Sequence, residues 1–140
     1  MAARIVVHSL DDARAALAAA TTLGREVTLA SAAGAGTFAG PGWFKALTDE
    51  AAREFPAARC DTVLDCGGAA GIALAALRLG LKRVRFAGSA EAARRLQAIA
   101  AQLDAVVEEA QEMPALDLRG AREPEALCRA WLAGGAVTRA

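Results

Sequence analysis

Asp65, Cys66 and His8 are the residues of this chain best equipped to act on a substrate. Asp65 and Cys66 run directly into Gly67-Gly68-Ala69-Ala70-Gly71, and His8 is the single histidine. A thiol at the start of a helix ionises more easily than a free cysteine, and a thiolate beside an imidazole base is a nucleophile. A Cys66/His8 dyad requires the strands that carry the two residues to be neighbours. That condition holds in a flavodoxin-like strand order and fails where strand two lies between them. The competing reading makes Cys66 a small apolar residue filling a strand end, the usual role of a free cysteine. Asp65 is the alternative catalytic group, and the residue pattern does not choose among the three.

Glycines mark where a ligand would sit. The segment 31–42 reads Ser-Ala-Ala-Gly-Ala-Gly-Thr-Phe-Ala-Gly-Pro-Gly, and 67–71 is a second glycine turn. Exposed backbone N–H groups at a helix start, together with the helix dipole, suit an anion. The 67–71 turn has the spacing G-G-x-x-G, which is neither the dinucleotide fingerprint nor a P-loop. The 31–42 loop carries no lysine or arginine to hold phosphate. The expected ligand is therefore a small, anionic metabolite, no motif names a cofactor, and turn chemistry alone also accounts for glycines at such places. The candidate ligand-binding residues are Ser31, Gly34, Gly36, Gly40, Trp43, Asp65, Gly67, Gly68 and Ser89.

The elements that must position these groups follow from hydrophobic period and from caps. An apolar run at 4–7 ends at His8-Ser9, and Ser9 opens a helix over 10–23 with Asp11 and Asp12 in its first turn and Gly24 at its end. Further strands are expected at 26–30, 62–66, 83–87 and 105–108. Helices are expected at 43–55, 72–79, 90–103 and 124–132, with Pro41 suited to a first turn and Ser89 to a cap. Strands alternating with helices imply right-handed crossovers and a mainly parallel, five-stranded, three-layer α/β domain of Rossmann-like or flavodoxin-like order. It spans residues 1–134 as one domain, with a frayed tail at 135–140. In such a sheet the loops after the strands gather at the carboxyl edge and form the ligand crevice.

Composition narrows the function classes. Lys+Arg and Asp+Glu balance at 16 each, so no clustered positive field draws nucleic acid or an anionic membrane. Aromatics make up 4% of the chain and tyrosine is absent, leaving few stacking platforms for bases. The hydrophobic fraction of 55% is largely alanine, and no apolar run approaches the roughly 20 residues of a spanning helix. Cys60, Cys66 and Cys128 form no zinc-type spacing with His8, so no metal site is expected and the thiols are read as free. Without a secretory leader the chain is read as cytoplasmic. The expected partners are a small-molecule ligand or a second copy of the chain, with Trp43 beside the glycine loop as the aromatic that would cover a ligand or seat a homodimer.

Two resemblances follow. Asp65 at the end of strand three, with Ser89 after strand four, resembles the phosphoacceptor arrangement of receiver domains. Here, however, Asp11 and Asp12 lie inside a helix turn, and Glu108 and Glu109 stand near where the receiver lysine belongs. The runs Val27-Thr28-Leu29, Gly42-Trp43-Phe44, Leu64-Asp65-Cys66-Gly67 and Leu74-Ala75-Ala76-Leu77 are similar to those of small bacterial α/β proteins without assigned function. That second resemblance implies an α/β fold and no particular catalytic residue. Arg83 and Arg85 give strand four a polar side, which predicts either a place near a sheet edge or an ion pair from Arg85 to Glu108 or Glu109.

Overall fold

A computed structural model describes residues 2–134, so the expected tail at 135–140 lies outside the described residues. In chain order the elements are β1 (Ala3–Val6), α1 (Leu10–Leu23), β2 (Val27–Ala30), α2 (Ala35–Phe38), α3 (Pro41–Glu54), β3 (Cys60–Asp65), α4 (Ala70–Leu79), β4 (Arg83–Phe86), α5 (Ala90–Gln102), β5 (Val106–Glu109), β6 (Ala115–Asp117) and α6 (Pro124–Leu132). The strands follow the hydrogen-bonded order β5-β4-β3-β2-β1-β6. The α/β class is as expected, and two finer expectations are corrected. Six strands form among the described residues, because residues around Leu116 pair in parallel with β1. The order is neither Rossmann-like nor flavodoxin-like, since β1 to β5 lie side by side in chain sequence.

The residues gather into two compact units: Met1–Ala30, Leu47–Asp61 and Met113–Ala140 in one, and Ser31–Ala46 with Thr62–Glu112 in the other. In the first unit β1 pairs in parallel with β2 and with β6, which sets Ile5 opposite Leu29 and Leu116, while Arg4 lies opposite Thr28 and Ala115 on the alternate face. The helix α1 forms as its sequence predicts. Ser9 Oγ accepts the N–H of Asp12 and Gly24 closes the helix in the left-handed conformation, its N–H donating to Ala20 and Thr21 carbonyls. Its buried positions Ala13, Ala16, Leu17 and Ala20 recur at helical spacing, and α1 packs closely on α6. Small alanines on that stripe let the two helices approach, and two helices in mutual contact must share one side of their strands.

The second unit repeats the plan. Leu64 is opposite Val84, which is opposite Val107 on one face; Asp65, Arg85 and Glu108 are opposite one another on the other. The helices α4 and α5 touch each other as well as β4 and β5 respectively. Consecutive parallel strands joined by right-handed crossovers place their helices on a single side. In β4 the faces differ: Val84 and Phe86 are buried while Arg83 and Arg85 are half-buried. No described helix is long and apolar enough to cross a membrane.

The packing assigns Leu17, fully buried in α1, a central share of the first unit's stability. Leu17→Ala is expected to lower unfolding free energy by about 2–5 kcal/mol, read from urea denaturation. A loss within the error of the wild type would show that this face of α1 is not packed.

Candidate functional site

The carboxyl ends of β3 and β4 are the best-built part of the second unit. Asp65 Oδ1 accepts two backbone N–H groups, from Gly67 at 2.9 Å and from Gly34 at 3.1 Å. The Asp65 N–H donates in turn to Ser31 Oγ at 2.9 Å, and the Ser31 hydroxyl donates to the Ala32 carbonyl at 3.0 Å. Ser31 is buried, and its own N–H donates to the Val63 carbonyl. One carboxylate oxygen thus ties the 31–42 loop to the 67–71 turn. The Asp65–Gly67 half is an Asx-turn, which an aspartate two residues before a glycine signals locally. The Gly34 half spans 31 residues and has no local signal.

The 31–42 segment is more ordered than a wrapping loop. It contains the single turn α2, which starts at Gly34 in the left-handed conformation with φ 70°. Gly36 is required here by space: a Cβ would lie 3.1 Å from the Asp65 carbonyl oxygen, 3.2 Å from Cys66 Sγ and 3.3 Å from Ile72 Cγ2. The chain past Gly40, whose φ is 92°, enters α3. There Phe44 is fully buried and Trp43 is 38% exposed, the split expected for adjacent aromatics. Phe38 is more exposed still, at 74%.

After Gly67 and the exposed Gly68, helix α4 begins behind Ala69, an N-cap residue that offers no side-chain cap. Ser89, by contrast, is committed, because its Oγ accepts the Ala92 N–H at the start of α5. Between the first turns of α4 and α5 lies a groove of about 400 Å³, lined by Ala70, Gly71, Leu74, Ser89, Ala92, Leu96 and Ile99, with Glu91 and Arg95 paired at 2.8 Å along it. That volume suits a small metabolite.

Cys66 does not have a nucleophile's environment. Its side chain is fully buried, its Sγ contacts the Leu64 carbonyl at 3.8 Å, and burial, reinforced by the neighbouring Asp65 charge, pushes its thiol up to about 12. His8 belongs to the other unit, where its Nε2 is 2.6 Å from Asp117 Oδ1. Its backbone N–H donates to Asp12 Oδ2. With β2 between β1 and β3 in the strand order, the condition set for a Cys66/His8 dyad is not met. That order also differs from the one a receiver domain needs. Burial works against the Asp117 carboxylate, but hydrogen bonds from the Arg119 N–H and the His8 ring, with the charges of both residues, outweigh it and hold Asp117 below its ordinary range. Cys60 and Cys128 are likewise raised, to about 11 and about 12, chiefly by burial. Among the described residues no cluster of His, Cys, Asp and Glu is arranged to hold a metal ion.

No protein-family model matches the chain, and no curated protein matches it either.

Two outcomes follow from this geometry. Asp65→Ala leaves two backbone donors without their acceptor and is expected to cost about 1–3 kcal/mol. Asp65→Asn, which keeps an oxygen acceptor, should cost less, with hydrogen exchange at Gly34 and Gly67 as the site-specific readout. The raised thiols set a base sensitivity: protons held by the folded thiols are lost from the unfolded chain first, so stability is complete below the ordinary thiol value of 9.0 and falls as pH rises towards 12. In the folded protein Cys66 should alkylate far more slowly than a peptide cysteine at the same pH; equal rates would restore the nucleophile reading.

Proposed function

We propose that this chain is a cytoplasmic small-molecule-binding α/β domain whose ligand, an anionic metabolite, sits at the strand carboxyl edge of the second unit, bordered by the 31–42 loop and the 67–71 turn. One observation carries the reading: Asp65 Oδ1 fixes both segments through their N–H groups, at Gly34 and Gly67. A loop needs glycines merely to turn, but holding two separate loops on one oxygen creates a pre-formed rim, and pre-formed rims lower the ordering cost of binding. Beyond that rim the start of α4 presents backbone donors without a side-chain cap, next to a groove of ligand size. The burial of Cys66 favours binding over covalent catalysis in this reading.

A second reading rests on a different observation. Phe38 within the glycine loop and Trp43 just after it have 74% and 38% of their surfaces exposed, which suits the centre of a homodimer contact. In this reading the loops are turns and the partner is another copy of the chain.

Native mass spectrometry of gently purified protein separates the two, because one spectrum reports oligomer mass and retained ligand. The ligand reading expects a bound small mass that disappears in Gly68→Trp, where the exposed turn is blocked, together with a thermal shift by carboxylates or phosphates in the wild type alone. A clean dimer with nothing bound, dissociating in Phe38→Ser, supports the second reading and overturns the first.

A further inference from the structure

Arg85 stands at the centre of the second unit's strand trio, with Asp65 of β3 and Glu108 of β5 as its partners in register. An arginine flanked by two carboxylates on one sheet face is expected to pair with at least one of them. Neither pair forms. Asp65 Oδ1 is occupied by the N–H groups of Gly34 and Gly67. Glu108 Oε2 is reached diagonally by Arg83 Nη1 at 3.5 Å, although Arg83 is opposite Val106 in register. The Arg85 carbonyl accepts the Cys66 N–H, but its side chain makes no hydrogen bond or ion pair among the described residues, and its Nε, shielded from solvent, has no acceptor. Buried donors in folded proteins are nearly always satisfied, and an exception calls for a further partner: a water, an ion or a ligand.

The chemistry of that partner can be read from the neighbours. A guanidinium offers a planar fork of donors that matches a carboxylate or phosphate, and it stays charged at any physiological pH. Asp65 Oδ2, on the adjacent strand, has no hydrogen-bond partner among the described residues and can only accept. A donor fork on one strand and an acceptor oxygen in register on the next, not paired with each other, fit a molecule that carries an oxyanion and a hydroxyl together. A bare oxyanion would gain Arg85 but would also meet the charge of Asp65, whereas a neighbouring hydroxyl turns that repulsion into a hydrogen bond.

We propose that Arg85 anchors the carboxylate or phosphate of a small hydroxylated metabolite on the polar sheet face at the carboxyl end of β4, with Asp65 Oδ2 accepting from the ligand's hydroxyl. Arg83 reaches Glu108, the other carboxylate in register with Arg85. The assignment rests on the reading of the strand carboxyl edge as a ligand site and names the group that receives the anion there.

The test uses the full chain labelled with ¹⁵N and three probes: glycerol 3-phosphate, glycerate and inorganic phosphate. The expected result is a saturable shift of the Arg85 Nε–H resonance with one of the two hydroxylated probes, the preferred one identifying the oxyanion as phosphate or carboxylate. Inorganic phosphate should bind more weakly than glycerol 3-phosphate. Arg85→Gln should weaken the preferred probe by at least about tenfold, and Arg85→Lys by an intermediate factor, because a lysine keeps the charge but loses the fork. The Nε–H resonance of the unmutated chain keeps the test decisive even where a variant folds poorly. A probe that binds, is lost in Gly68→Trp and persists in Arg85→Gln with the Nε–H unmoved overturns the Arg85 assignment while the edge reading stands. Absence of binding by all three, or binding untouched by Gly68→Trp, overturns the edge reading and the Arg85 assignment with it.

Discussion

The second unit turns on one oxygen atom. Asp65 Oδ1 accepts from Gly34 and Gly67, and every feature considered for function around it depends on that choice. It draws α2 over the end of β3, closely enough that Gly36 has no space for a side chain. It shapes the turn that delivers the chain into α4. A charged acceptor holding neutral backbone donors makes a stronger bond than two neutral groups would, so the carboxylate is better suited to this position than an amide.

The strand order has consequences that reach as far. Because β1 to β5 succeed one another in space as in sequence, right-handed crossovers put the helices of each unit on one side of its strands. The other face need not be apolar. In the second unit it carries Asp65, Arg85 and Glu108 abreast, with Arg83 behind them. A strand covered on both sides would read as a continuous apolar run; β4 instead alternates Arg-Val-Arg-Phe, with its arginines half-buried.

Cys66 shows two physical effects in competition. A position beside a helix start favours a thiolate, while complete burial opposes it. Here desolvation dominates, and the adjacent Asp65 charge acts in the same direction. Cys66 and Asp65, the two adjacent catalytic candidates of the sequence, thus do different structural work: one fills the strand end and the other holds the loops.

Much of the local structure was legible from the chain alone. Ser9, Gly24, Pro41 and Ser89 announced the ends of their helices because caps and terminators act through bonds to residues three or four positions away. The apolar period of α1 and the burial of one of two adjacent aromatics were equally local. The alternation of strands and helices determined the α/β class. What only the tertiary structure decided is everything set by partners distant in sequence: the order of the strands, the sixth strand at Ala115–Asp117, and the capture of Asp65 by Gly34. The diagonal contact of Arg83 with Glu108 belongs there too, since register alone sets Glu108 opposite Arg85. Periodicity specifies which face a side chain takes, but not which strand lies beside it, and in this protein the candidate chemistry depends on that neighbour.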